Sequence, residues 1–322
     1  PRLVDALPNG PRGFATAQVF MAGGVPAVLL HLRRMGLLHG SMLTAAGDTL
    51  DTTLDWWESS ERRGAARARL ASAAAVDPDD VIMAPDAARH AGLTSTVVFP
   101  LGNLAPQGSV SKATAIDRSV IGADGVYRHR GPARVFTSEH DAIEAVKGTH
   151  GRPVREGDVI VLIGMGPSGT GMQETAQITT ALRYLPWGKH VALITDGRFS
   201  GFSSGACIGH VGPEALHDGP IGRVQDDDLI EIVIDPRTLT GTVDLIGAGG
   251  AVLDPQACHV LLADRPAHPG LAPHGRLPDD TRLWAALQRA SGGTWAGCVY
   301  DVDRIVAQLD AASGAAHGGG DA

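Results

Sequence analysis

The segment DVIVLIGMGPSGTGMQE, residues 158–174, contains the pattern that says most about the fold. It begins with an apolar run, Asp158–Ile163, continues through closely spaced glycines, and leads into a predicted helix, Glu174–Tyr184. A second apolar run, Val191–Thr195, follows that helix. Short β-branched runs bounded by glycine predict strands, and a helix between two of them is the repeat of an α/β fold. We therefore predict two strands that each end in a glycine-rich loop.

The flanking residues extend this pattern into a mainly β region with interleaved helices, at about 93–260. One more helix is predicted within it, from the Ser138 cap to Val146. Further strands are predicted at Ser95–Phe99, Val110–Ile116, Ala133–Thr137, Leu229–Ile234 and Thr242–Ile246. This texture favours an α/β or mixed α and β class.

The remaining segments are predicted to be helical or irregular. Residues 1–70 contain helical apolar stripes such as the one after Pro26, and residues 71–92 are interpreted as a linker. A helical extension, 261–313, holds predicted helices at Thr281–Ala290 and Asp301–Leu309. The Gly- and Ala-rich tail, 314–322, is predicted to be disordered.

Composition excludes several classes of protein. The chain has 322 residues, 43% of them hydrophobic, which is enough for two folded units. Its formal charge is −8 and it has no basic run that would track a phosphate backbone, so we expect no nucleic-acid partner. No apolar run reaches the roughly 18 residues of a membrane span, and no leader opens the chain. These features indicate a soluble, cytoplasmic protein that does not bind a membrane.

The cysteines and the first residues give two further expectations. Cys207, Cys258 and Cys298 are odd in number and far apart, so neither a disulfide framework nor a CxxC metal knuckle is encoded. Cys207 is interpreted as a small buried apolar residue. The chain opens at Pro1 on sequence typical of the middle of a domain, so we expect a fragment or a split product.

The glycine-rich loop after Ile163 admits three interpretations. Gly164, Gly166 and Gly169 match the GxGxxG pattern of dinucleotide-binding folds, but Pro167 removes a donor, and the acidic Asp196 lies 27 residues after Gly169, where about 20 is typical. A tight strand-to-helix turn without a ligand is the second interpretation. The third is a cation site: a carboxylate at Glu174, in the predicted first helical turn, suits a hard cation such as magnesium.

The loop after Thr195, in VALITDGRFSGFSSG (191–205), presents Ser200 between glycines. It does not match the GxSxG elbow of hydrolases, because Arg198 stands where that motif needs glycine. Ser200 is therefore either a reactive residue or the cap of a turn. His210 and Glu214 follow in CIGHVGPEA; His210 is a candidate acid, base or ligand, or a structural histidine.

Three blocks carry a resemblance to a known family: GMGPSGTGMQE (164–174), ITDGRFSGFSSGACIGHVGPEAL (194–216) and DGPIGRVQDDDLIEIVID (218–235). In this order they resemble the C-terminal half of dihydroxy-acid/phosphogluconate dehydratases and their sugar-acid relatives. Residues 278–305, PDDTRLWAALQRASGGTWAGCVYDVDRI, are similar to the D-xylonate dehydratase branch in particular. The resemblance implies a swivelling β/β/α barrel like the aconitase C-terminal domain for 93–260, with 1–70 as a remnant of the family's α/β N-terminal domain.

The resemblance also assigns roles to residues. Glu174 matches the family's magnesium-binding glutamate, and Ser200 matches the serine that acts as the base. Some relatives have a hydroxyl residue where this chain has Phe202, so Ser203 becomes a candidate substitute, and His210 is a second candidate for substrate binding. The family's 2Fe-2S cluster and most of its magnesium ligands belong to the other, N-terminal half. None of this chain's cysteines matches a cluster position.

The activity implied is the elimination of water from a 2,3-dihydroxy sugar acid such as D-xylonate, giving a 2-keto-3-deoxy acid. Because the cluster ligands lie in the N-terminal half, this chain is expected to be inactive without that half, which is the implied protein partner. The family's enzymes are homo-oligomers. Two alternatives stay open: a non-catalytic binding or assembly module that keeps the barrel, and a dinucleotide-dependent oxidoreductase.

Overall fold

The computed structural model describes residues 1–149, 151–296 and 299–317, so Cys298 and the last part of the predicted tail lie outside the described residues. The chain divides into two compact units, Pro1–Thr96 and Val97–Ala322. Within the described ranges, none of the helices combines the length and apolarity needed to cross a bilayer.

The N-terminal unit is helical, as predicted for residues 1–70. Its small core includes Leu70 and, from the predicted linker, Val81 and Ile82. Buried residues of the segment 71–92, which was predicted as a linker, thus contribute to the core of this unit. Its helices are α1 (Thr16–Ala22), α2 (Gly24–Arg34), α3 (Leu50–Ser59), α4 (Glu61–Ala74), α5 (Pro78–Val81) and α6 (Pro85–His90).

The C-terminal unit contains one mixed, eight-stranded sheet in the order β1-β5-β4-β3-β2-β6-β7-β8. The strands are β1 (Gly108–Ser111), β2 (Tyr127–Phe136), β3 (Val159–Leu162), β4 (Ala192–Thr195), β5 (Ala206–Gly212), β6 (Leu229–Asp235), β7 (Thr240–Ala248) and β8 (Ala251–Val252). Strands β2 to β5 are parallel neighbours in the central part, and the other pairs are antiparallel.

Two features join the parts of this sheet. The long strand β2 pairs with β6 through its first residues and with β3 through Ala133–Phe136. The segment before β1 forms bridges from Val98 to Ser111 in β1 and from Leu101 to Thr242 in β7. The outer strands β1 and β7 are thus connected through one segment of chain.

Both faces of the central strands are buried, which explains their uninterrupted apolar runs. Val159 and Val161 of β3 face the larger core cluster, whereas Ile160 and Leu162 face a second one. Two helices, α7 (Glu139–Lys147) and α9 (Ala176–Arg183), supply residues to the second cluster. The remaining helices of the unit are α8 (Pro167–Thr170), α10 (Pro255–Asp264), α11 (Asp279–Ala290) and α12 (Val302–His317).

Several predicted boundaries need correction. The segment Ser95–Phe99 contributes only the bridge at Val98, and β5 forms where no strand was predicted because glycine and cysteine interrupt its β-branched residues. Helix α12 is described as far as His317, within the predicted tail, and the disorder of 314–322 stays a prediction.

Candidate active site

The candidate site lies where the parallel strands β3 and β4 end, at the place we call the carboxyl edge. Leu162 of β3 is paired with Thr195 of β4, so the two following loops leave the sheet side by side. Further along, Glu174 and Arg198 form a parallel bridge. The backbone N–H of Thr175 donates to the carbonyl of Arg198 at 2.8 Å. The structure thus brings the loop of Glu174 against the loop of Ser200.

Close packing of these loops requires glycine at position 197. A Cβ atom there would lie 2.7 Å from Cβ of Met165, in the neighbouring loop. The carbonyl of Gly197 also accepts a hydrogen bond from the N–H of His210, at 2.7 Å. The loop after β4 is therefore fixed on two sides, by the β3 loop and by β5.

Glu174 does not lie in the first turn of α9, which corrects the predicted helix start. The helix begins at Ala176 with Thr175 as its N-cap residue, and Glu174 precedes both. The anion at this helix terminus is the buried carboxylate of Glu139, which accepts hydrogen bonds from Gln177 N–H at 3.0 Å and Ile178 N–H at 3.1 Å. Because Glu139 satisfies those donors, the half-exposed carboxylate of Glu174 is left at the carboxyl edge.

Arg198 connects Glu174 to the β4 loop. Its Nη1 lies 3.9 Å from Oε2 of Glu174, and its Nε donates to the carbonyl of Met172 at 2.9 Å. Both ionised side chains are substantially exposed, so the pair adds little stability. Its geometric effect is to hold a positive charge beside the candidate metal-binding carboxylate.

Ser200 is half-buried in the turn that follows. Its Oγ accepts a hydrogen bond from the N–H of Phe202 at 3.2 Å, and its carbonyl accepts one from the N–H of Ser203 at 2.9 Å. Ser200 thus makes the hydrogen bonds of a turn cap, which is one of its two interpretations from the sequence. Phe202 itself is 85% exposed.

Sequence reasoning did not identify Lys112, which follows β1. Its ammonium group donates to the carbonyl of Gly201, directly after Ser200. Partial burial lowers the pKa of Lys112 from its ordinary value. The only sequence signal is a lysine within a predicted strand, Val110–Ile116, and that signal is too common to be specific.

The two candidates for substrate binding occupy different surroundings. Ser203 is buried, and its Oγ accepts a hydrogen bond from the hydroxyl of Thr179 in α9 at 3.2 Å, an arrangement that fixes the loop to the helix. His210 lies beside the Ser200 loop, with its ring edge-on to Phe199 at 6.4 Å. Burial, and to a lesser degree the charge of Arg198, lowers the pKa of His210, so its ring is neutral at neutral pH.

Asp196, another residue of the carboxyl edge, is fully buried and organises three loops. Its carboxylate accepts hydrogen bonds from Gly164 N–H at 3.1 Å, Met165 N–H at 2.8 Å and Ala215 N–H at 2.9 Å. Burial raises the pKa of Asp196 to about 6 despite these hydrogen bonds, and Glu214 adds to the rise. Asp196 is therefore a structural carboxylate at the base of the site.

The same contacts argue against the dinucleotide interpretation. Asp196 takes the N–H groups of Gly164 and Met165, and the Glu214 carboxylate takes the N–H of Ser168 at 3.0 Å. The N–H of Gly169 is bonded to the carbonyl of Gly166. A pyrophosphate would need these donors free, and protein carboxylates already occupy the positions that it would take.

The resemblance implies two cofactors, magnesium and a 2Fe-2S cluster, and the residues of this chain fit magnesium better than the cluster. Glu174 offers one carboxylate suited to magnesium, and no three His, Cys, Asp or Glu side chains within residues 1–149, 151–296 and 299–317 are grouped to hold a metal. Cys207 and Cys258 are buried, and burial raises the pKa of both thiols. Neither thiol is suited to act as a thiolate ligand of an iron–sulfur cluster.

The protein is of the mixed α/β class, and polar side chains lie on the adjoining loops that follow its parallel strands. Functional residues are often found on loops that a rigid scaffold positions in this way. Residues 80–247 match the C-terminal domain of the dihydroxy-acid/6-phosphogluconate dehydratases. The chain belongs to this family of dehydratases.

Individual relatives extend the similarity over almost all of the chain. D-xylonate dehydratase YagF of Escherichia coli is 56% identical over 311 residues, which are 97% of this chain and 47% of that protein. D-xylonate dehydratase YjhG of the same species is 55% identical over 311 residues, 96% of this chain and 47% of the relative. A dihydroxy-acid dehydratase of Dinoroseobacter shibae is 40% identical over 234 residues, 72% of this chain and 35% of its own length. The chain spans about half the length of the D-xylonate dehydratases it matches.

Proposed function

We propose that this chain is the C-terminal half of a sugar-acid dehydratase that converts D-xylonate, or a related aldonic acid, to its 2-keto-3-deoxy acid. The observation that carries the proposal is the bridge between Glu174 and Arg198, which brings the candidate metal ligand and the candidate base, Ser200, to one edge of the sheet. The two D-xylonate dehydratases at 56% and 55% identity support the choice of substrate class.

In this proposal Ser200 removes the proton from C2 of the acid. A serine hydroxyl is a weak base, so it needs a positive field that favours its alkoxide. Arg198 lies two residues before Ser200, and the Lys112 ammonium group contacts the carbonyl directly after it. These two cations contribute part of that field.

Glu174 would be this chain's ligand to magnesium. When bound, the metal would acidify the C2–H and stabilise the negative charge that develops on the acid. The other ligands would come from the cluster-bearing N-terminal half, in the same or a separate chain. The two buried cysteines do not fit a cluster, so we assign no residue of this chain to the departing C3 hydroxyl group.

We also propose that the sheet of the C-terminal unit is the family's swivelling β/β/α barrel. The bridges of Val98 and Leu101, which connect β1 with β7, support closure of the sheet. The larger core cluster, drawn from strands on both sides of these bridges, supports an enclosed interior.

Reconstitution tests the proposed function. The full chain would be purified with the N-terminal half of a D-xylonate dehydratase, and formation of the corresponding 2-keto acid would be followed with D-xylonate, D-gluconate and 2,3-dihydroxyisovalerate. We expect turnover of at least one sugar acid by the complex. A stable complex that carries an intact cluster and magnesium yet turns over none of the three acids would favour the non-catalytic assembly module instead.

A further inference from the structure

A cavity lies between the loop after β3 and helix α11, apart from the candidate active site. Its volume is about 500 Å³, within the range of small-molecule sites. The polar residues that line it are Ser168, His274, Arg282 and Arg289, and Leu277 and Ala285 are among its apolar lining. Neither Glu174 nor Ser200 lines this cavity, and within the described residues no carboxylate does.

A chain of hydrogen bonds holds Arg289 at this cavity. The carboxylate of Glu214 accepts a hydrogen bond from Nδ1 of His217, at 2.7 Å. Nε2 lies 3.0 Å from Oγ of Ser168 and accepts a hydrogen bond from Nη1 of Arg289 at 3.1 Å. Because its partner is an imidazole acceptor, Arg289 keeps its full positive charge and its other N–H donors.

Arg282 adds a second positive charge on the same face of α11. The two arginines are seven residues apart, which places them two turns apart and in line along the helix. Arg282 pairs with Asp279 at 2.9 Å, but this carboxylate is 95% exposed, so the pair is weak and open to exchange with another anion.

From these observations we propose that the cavity is a binding site for a phosphate-bearing small molecule. Its phosphate group contacts Arg289 and Arg282, since a phosphate monoester carries about −1.5 to −2 charges at neutral pH and two guanidinium groups match that charge. The lining by Leu277 and Ala285 would contact the carbon skeleton of the ligand. The site does not depend on the proposed dehydration.

Calorimetric titration of the full chain tests the site, with inorganic phosphate and glucose 6-phosphate as the probes and glucose as the uncharged control. We expect saturable binding of at least one phosphate, weakened roughly tenfold or more in Arg289→Gln and in Arg282→Gln. Tighter binding of glucose 6-phosphate would identify an ester as the ligand, and equal affinity would identify free phosphate. His217→Ala should weaken binding less, because it only positions Arg289.

Arg62→Gln is the matched control. Arg62 is an exposed arginine of α4, so its replacement removes the same charge away from the cavity lining. Because all three arginines are exposed, the variants should keep the melting temperature of the parent protein. Absence of saturable binding by the parent protein up to roughly 10 mM, or equal weakening in Arg62→Gln, would overturn the proposal.

Discussion

Asp196 shows most clearly how single residues build the candidate site. Its buried carboxylate accepts three backbone N–H groups from the loops after β3 and β5. Desolvation opposes its charge more than these bonds favour it, so its pKa rises to about 6 from an ordinary 3.8. The raised pKa makes the free energy of unfolding depend on pH. The stabilisation that comes from protonated Asp196 is fully present below the pKa of the unfolded state, and it is lost as the pH rises through about 6.

We predict that the carboxyl carbon of Asp196 titrates with a midpoint of about 6 in the folded protein. Carbon-13 NMR of selectively labelled aspartate, recorded between pH 3 and 8, measures this midpoint. Asp218, whose side chain is 97% exposed, serves as the control resonance. An Asp196 midpoint near 3.8 would show that the three hydrogen bonds outweigh burial, contrary to this account.

Glu174 yields a prediction for metal binding. Glu174→Gln should weaken magnesium binding by the reconstituted complex at least roughly tenfold, because a charged hard ligand becomes neutral. Its side chain is half-exposed and makes only a long ion pair, so the melting temperature should hardly change. Magnesium titration of turnover checks the first expectation and calorimetry the second; unchanged magnesium affinity would remove Glu174 from the metal site.

The positions of candidate residues could be predicted from the sequence only where a local motif carries them. Ser200 and Glu174 stand in recognisable segments, and the bridge between Glu174 and Arg198 brings their loops together at the carboxyl edge. Asp196 stood out only as a possible dinucleotide residue, because its real partners are backbone groups 19 to 32 positions away. Lys112 was missed because its contact with Gly201 crosses 89 positions.

At the scale of elements, the start of α9 depends on α7. Glu139, in the first turn of α7, accepts hydrogen bonds from two N–H groups in the first turn of α9. We predict that Glu139→Gln lowers the free energy of unfolding by about 1–2 kcal/mol, since the two buried hydrogen bonds lose the strengthening effect of the carboxylate charge. Denaturant unfolding measures the change, and Glu156→Gln, an exposed glutamate of the same unit, is the control.

The predicted loss should also be local. Amide hydrogen exchange should quicken at Gln177 and Ile178 in Glu139→Gln and stay unchanged in β3. If Glu139→Gln and Glu156→Gln were equally stable, with equal exchange at these two amides, the capping role of Glu139 would be refuted.

Elements with continuous apolar runs could be predicted, and interrupted ones could not. β3 and β4 lie within one residue or two of their predicted bounds because both faces are buried. β2 is longer than predicted because its first half, rich in arginine and histidine, is held by pairing with β6. α10 was not predicted because its apolar residues lack a clear helical stripe.

At the scale of the whole molecule, large apolar side chains of the N-terminal unit are exposed. The N-terminal unit exposes several large apolar side chains, among them Trp56, Phe20, Leu37, Met42 and Leu43, whereas Leu29, Leu32 and Trp57 are half-buried.

We predict that the N-terminal unit is the less stable one. Amides in α2 should exchange faster than those in β3, because the core clusters of the N-terminal unit are small whereas β3 is buried on both faces. Hydrogen exchange followed by mass spectrometry measures both segments in one experiment. Equal protection of α2 and β3 in a monomer would contradict the prediction.

Kinetics of the reconstituted complex test the central claim, that Ser200 is the base of a sugar-acid dehydratase, most directly. In complex with a cluster-bearing N-terminal half, Ser200→Ala should lower kcat for D-xylonate by roughly 100-fold or more while KM changes little, because it removes a group needed in the transition state. Ser204→Ala, which removes a nearby hydroxyl that contacts only the carbonyl of Thr179, should keep full activity. A Ser200→Ala complex as active as Ser204→Ala would contradict the assignment.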